Sequence, residues 1–328
     1  MTARGAGDGG PGGTVARSAA LALTAVVSSL LLLGCAERPA GDERVHVPDA
    51  ELRTEVSPGE RETLYLAEQR LISTCMDKKG FRYYVVPPAA LSASPMERPF
   101  GSDDVAWAEE HGYGISDGEQ DRRNREESRP NPNGRYIASL SDARGRAFQR
   151  ALDGTNPAAI TVQVPSMGRV FTSADGCQAD ARARLYGDLG RWTAAKATVV
   201  NLRALVRPRL DKDPRYAGAL ASWRRCMARH GFPYDGPSDA VMAMRDARSA
   251  PGKPAPDQGP RAPHPRERAT AVADARCNGE SKLATVGEQV LRGQTREAAR
   301  GTYREAAADY TTAVARALVT ARDITSAK

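Results

Sequence analysis

One nine-residue pattern occurs twice in this chain, each time led by a cysteine, and it restricts the fold more than any other feature. Cys75-Met76-Asp77-Lys78-Lys79-Gly80-Phe81-Arg82-Tyr83 and Cys226-Met227-Ala228-Arg229-His230-Gly231-Phe232-Pro233-Tyr234 share the form C-M-x-x-x-G-F-x-Y. The register extends backwards, with Tyr65 against Tyr216 and Ile72 against Trp223. A second cysteine follows each copy, in Ala174-Asp175-Gly176-Cys177 and in Ala273-Asp274-Ala275-Arg276-Cys277. The chain therefore reads as two related units, each with a first cysteine, a variable loop and a second cysteine. Four cysteines allow three pairings, and the repeat favours Cys75–Cys177 with Cys226–Cys277, each bond closing its own unit. Loops of these sizes would each contribute about 4–4.7 kcal/mol in the chain-entropy account. With no C-x-x-C pair in the chain, the bonds read as structural rather than redox-active.

The units read as helical. Residues 60–77 place Leu64, Leu71 or Cys75, and Ile72 near helical spacing. Gly80 and Gly231 each suit a helix stopped by a left-handed glycine, with Phe81 or Phe232 folded back on the last turn. Beyond Cys177, the residues Leu185, Leu189, Trp192, Val199, Leu202 and Val206 form one apolar face, which Pro208 is expected to end. Asp213-Pro214 suits the start of the next helix, which carries Tyr216, Leu220, Trp223 and Met227. A long helical region follows Cys277 to about Ile324, with Tyr303, Ala307, Tyr310, Val314 and Ala317 as a narrower seam. Gly287, Gly293 and Gly301 weaken that region and are candidates to divide it.

Short strands are expected at residues 83–86 and 160–164, paired as a small hairpin inside the first unit. Residues 122–134 are charged and turn-rich, and 142–152 suit a short helix. Six prolines between Pro251 and Pro265 mark 249–266 as an extended surface loop. The expected fold is mainly α: two related helical units, residues 60–210 and 211–328, each stapled by a disulfide, with a small β-hairpin in the first.

The N-terminal residues supply an address. Arg4 and Arg17 precede an apolar run from Ala19 to Leu33, which at 15 residues is shorter than the roughly 20 that span a bilayer. Such a run reads as the core of a signal peptide. It ends in Leu32-Leu33-Gly34-Cys35, which resembles the lipobox of bacterial lipoproteins. The resemblance implies cleavage after residue 34, lipid on Cys35, and residence at the extracytoplasmic face of a membrane. A two-chain lipid holds a protein firmly, because each buried methylene adds about 0.8 kcal/mol. Residues 35–59 are polar and contain Pro39, Pro48 and Pro58, so they read as a tether. A flexible chain of that length reaches roughly 25–30 Å. The C-M-x-x-x-G-F-x-Y body is similar to exported actinobacterial proteins of unassigned function, a likeness that implies no activity.

Of 47 basic residues only seven are lysine, and the formal charge is +7. A basic envelope protein is drawn to anionic lipid or wall polymer. The arginines are mixed with acids and make no stripe interleaved with aromatics, which argues against nucleic acid as a partner. The expected partners are membrane lipid through Cys35 and an envelope membrane protein or anionic wall polymer.

No catalytic or cofactor signature carries weight. Gly114-Ile115-Ser116-Asp117-Gly118 satisfies G-x-S-x-G, but that chemistry needs a strand before the serine and a helix after it. The alternative it represents is an extracytoplasmic serine hydrolase using Ser116. His46, His111, His230 and His264 form no H-E-x-x-H and no recognised zinc spacing, so no metal is expected. The reading is a non-catalytic binding or accessory module of the cell envelope, with Trp107, His111 and Tyr113 as a candidate binding surface.

Overall fold

The computed structural model describes residues 46–87, 98–115, 131–165, 167–249 and 262–326. The expected signal segment 1–34, Cys35 and Ser116 lie outside the described residues, as does most of the proline-rich stretch. Eleven helices and one hairpin are described. They are α1 (Pro58–Lys78), α2 (Val105–His111), α3 (Pro132–Ala138), α4 (Asp142–Asp153), β1 (Ile160–Val164), β2 (Gly168–Thr172), α5 (Cys177–Tyr186), α6 (Leu189–Leu210), α7 (Pro214–Arg229), α8 (Pro237–Ser249), α9 (Pro265–Ser281), α10 (Leu283–Arg300) and α11 (Arg304–Ser326). The fold is mainly α, as expected.

Local chemistry sets the helix ends. Ser57 and Glu60 form a reciprocal capping box ahead of α1, with Pro58 in the first turn. Asp213 caps α7 in the same way that the Asp-Pro pair suggested, accepting from Arg215 N at 3.0 Å. Both repeat copies end their helix identically. Lys79 N donates to Cys75 O and Phe81 N to Met76 O; His230 N donates to Cys226 O and Phe232 N to Met227 O. Gly80 and Gly231 follow at φ +75 and +82, the left-handed region that glycine enters without a Cβ clash.

Both disulfides join the expected partners. Cys75 is bonded to Cys177 and Cys226 to Cys277, with Cα separations of 5.6 and 5.5 Å. The boundary at residue 210 separates the two disulfide loops but not two cores. Leu64 of α1, Leu185 of α5 and the Trp192–Leu210 face of α6 share one apolar cluster with Trp223 of α7, Val290 and Leu291 of α10, and Tyr310, Val314 and Ala317 of α11. α11 lies on α1, α5 and α6, while α10 lies on α6 and α7. The face of α6 is too wide for its own half to cover, so the second half's helices close it.

Four local expectations change. Pro208 sits inside α6, which runs on to Leu210. Proline frees the carbonyl four residues earlier, at exposed Ala204 where solvent has access, while buried Val206 and Leu210 hold the last turn. β1 pairs with β2, from Ile160↔Thr172 to Val164↔Gly168, and not with residues 83–86. Both backbone groups of Tyr84 are instead satisfied by one side chain: Tyr84 N donates to Asn133 Oδ1 at 2.8 Å, and Asn133 Nδ2 donates to Tyr84 O at 2.9 Å. That amide takes the place of a strand partner.

The region after Cys277 divides at Lys282, which has φ +55, and at Gly301; Gly287 and Gly293 lie within α10. Asn278 Oδ1 bridges the first break by accepting from Ala284 N at 2.9 Å. The expected tether is shorter than residues 35–59. Val47 is buried, Arg304 donates to Val47 O and to Asp49 Oδ1, and Arg53 N donates to Thr311 Oγ1. Leu52 and Val56 pack on the main cluster, so this stretch gains apolar contacts that its polar composition concealed.

Candidate functional site

The expected surface of Trp107, His111 and Tyr113 is divided by the fold. α2 starts at Asp104, whose carboxylate accepts from Trp107 N at 2.9 Å, and the rings of Trp107 and His111 lie 4.8 Å apart. Both are partly exposed. Tyr113 is 2 % exposed and belongs to the interior, which corrects its place in a binding surface. After α2 the chain turns inward at Gly112, φ +64, where a Cβ would come within 3.0–3.1 Å of Glu267 and Pro263.

Two buried carboxylates of α9 receive this turn. Glu267 Oε1 accepts from Tyr113 N and Ile115 N, each at 3.0 Å. Asp274 Oδ2 accepts from the Tyr113 phenol at 3.1 Å and Oδ1 from Trp223 Nε1 at 2.8 Å. Burial pushes the Asp274 carboxyl up to about 7, against the downward pull of the bonds from Trp223 and Tyr113. The Tyr113 phenol is held well above its ordinary value, chiefly by burial and then by Asp274, and stays a donor. Asn278, one turn further along, donates to Phe100 O at 2.6 Å. Glu267, Asp274 and Asn278 thus form a polar stripe inside the protein that fastens residues 100–115. Their spacing of seven and four was visible in the sequence, but the same spacing describes a solvated helix face.

Among the described residues, two grooves of about 500 Å³ open on the surface. The first, about 530 Å³, is lined by Glu109, His230, Phe232, Arg268 and Arg276 beside α9. The second, about 500 Å³, lies between β1, α6 and the start of α11; Val162, Ala194, Ala195, Tyr303 and Ala306 give it an apolar floor, and Arg191, Glu305 and Asp309 give it charge. Tyr303 and Glu305 of this groove are the sequence neighbours of Arg304, which holds Val47 and Asp49.

Gly114 and Ile115 follow helix α2 and a turn rather than a strand, and Ile115 is buried. His264 caps α9 by accepting from Arg266 N at 3.3 Å, and His46 is exposed. Among the described residues, one group of three metal-capable side chains comes together, Cys226, His230 and Cys277, and its two cysteines share a disulfide. No helix among the described residues is long and apolar enough to cross a membrane. Comparison with protein-family models, curated proteins and solved structures finds no match.

Proposed function

We propose that the chain is a lipid-anchored binding or accessory module at the extracytoplasmic face of a membrane, acting without covalent catalysis. Its address rests on Leu32-Leu33-Gly34-Cys35 at the close of the apolar run. The binding reading rests on the groove between β1, α6 and α11, where α11 also carries Arg304, the residue that holds the N-terminal segment at Val47. With residues from Val47 docked, the span between the lipid-bearing Cys35 and the body is 12 positions. Fully extended, that span reaches at most about 40 Å. Whatever occupies the groove is therefore held close to the membrane, which suits a segment of an envelope membrane protein. The half-apolar, mixed-charge lining favours such a segment over a polyanionic wall polymer.

The test has two parts. Cys35→Ala is expected to abolish labelling by palmitate and to release the chain from membranes. A photo-crosslinker at Ala194 or Ala306, used on intact membranes, is expected to capture a recurring membrane protein; capture of wall material alone would refute the groove reading. Labelling of Ser116 by a serine-reactive probe, lost in Ser116→Ala, would replace the reading with a hydrolase.

A further inference from the structure

The two repeat copies form the same helix end with the same hydrogen bonds, yet differ where the helix stops. The first copy has Lys79 there and the second has His230. Because Lys79 serves the first cap equally well, histidine is not required by the turn. His230 follows Cys226 by four residues, one helical turn, so both side chains point to one side. Cys277 arrives from α9 through the disulfide. One ligand atom from each of Cys226, His230 and Cys277 lies within 4.8 Å of the others. The His230 ring makes no side-chain hydrogen bond or ion pair with a described residue, and it lines the groove of about 530 Å³ that also receives Ala273, one turn before Cys277.

We propose that Cys226, His230 and Cys277 form a binding site for a zinc-like divalent cation once the Cys226–Cys277 disulfide is reduced. Two thiolates and one imidazole are the donors such a cation prefers, and three protein ligands leave a fourth, tetrahedral position for water on the groove side. Metal–sulfur bonds of about 2.3 Å and metal–nitrogen bonds of about 2.0 Å put ligand atoms roughly 3.4–3.8 Å apart. The proposed site needs the released sulfurs at about that separation, and His230, within 4.8 Å of them in the oxidised chain, to close by only about 1 Å.

The steps balance. An external dithiol gives two electrons and two protons to the disulfide, becoming a disulfide itself, and leaves Cys226 and Cys277 as thiols. The cation then displaces both thiol protons and takes neutral His230 as its third ligand. In the oxidised chain neither sulfur is a thiolate, so the site is closed. Sequence spacing alone did not show it, because the third donor comes from another helix.

Cobalt(II) reports this site through sulfur-to-metal charge transfer in the near ultraviolet. The full mature chain, reduced with a non-chelating phosphine, is expected to develop that band and to lose it when zinc is added; the oxidised chain is expected to show none. His230→Lys installs the residue that the first copy already carries, so the oxidised variant should melt like the parent. Reduced, it should bind cobalt at least about tenfold more weakly. Equal binding by the reduced variant, or no band in the reduced parent, overturns the proposal. So does loss of helical circular dichroism on reduction that zinc fails to restore.

Discussion

The Tyr113 phenol donates to Asp274 Oδ2 at 3.1 Å across 161 positions of sequence, and Trp223 Nε1 meets the other oxygen of the same carboxyl at 2.8 Å. An aspartate so placed reverses the usual dependence of stability on pH. The unfolded group titrates near 3.9, whereas burial holds the native one near 7. Between these values the native state keeps a proton that the unfolded chain has lost, so stability falls as pH rises from about 4 to about 7 and is level above. Glu60 acts in the opposite sense: the bond from Arg53 holds it down to about 2, and its contribution is lost as pH falls below about 4. Asp274→Asn keeps an acceptor for Trp223 and cannot ionise. Urea unfolding from pH 4 to 7 is expected to show the Asp274 slope in the parent and not in the variant; parallel profiles would refute this.

Glu267 has a different task, satisfying two backbone donors with one oxygen. Glu267→Ala leaves Tyr113 N and Ile115 N buried without their acceptor, at a cost of about 1–3 kcal/mol for each orphaned group. Hydrogen exchange should quicken at those two amides by more than it does in α6.

Phe100 depends on a residue without a side chain. A Cβ on Gly287 would lie 2.7–2.9 Å from three atoms of the Phe100 ring. Gly287→Ala is expected to destabilise by about 1–3 kcal/mol through overpacking, despite alanine's better helix propensity. Adding Phe100→Leu should cost less than the sum of the two single changes, as measured in a double-mutant cycle.

Arg304 fastens the N-terminal segment through Val47 O and Asp49 Oδ1. Both contacts are near the surface, so Arg304→Ala should lower global stability by no more than about 1 kcal/mol. Limited proteolysis between residues 47 and 57 should nevertheless accelerate. An unchanged cleavage rate would show that Leu52 and Val56 hold the segment unaided.

Peptide mapping without reduction should recover Cys75 with Cys177 and Cys226 with Cys277. Replacing either pair by alanine is expected to cost about 2–5 kcal/mol, seen as a lower urea midpoint.

What the sequence determined by itself was local stereochemistry and the pairing that repetition implied. Asp213, Gly80 and Gly231 act within four or five residues of themselves, so their roles can be read without knowing the fold. The two disulfides were legible because a repeated cysteine frame implies a repeated bond. Tertiary structure decided what the apolar faces pack against and which polar groups join them inside. Asn133 displaced the expected strand partner of Tyr84, α10 and α11 closed the face of α6, and Glu267 and Asp274 drew Tyr113 into the core. The physical reason is range: a cap depends on its own helical turn, whereas burial depends on partners 51 and 161 positions away, and one helical spacing serves a wet face and a buried polar stripe alike.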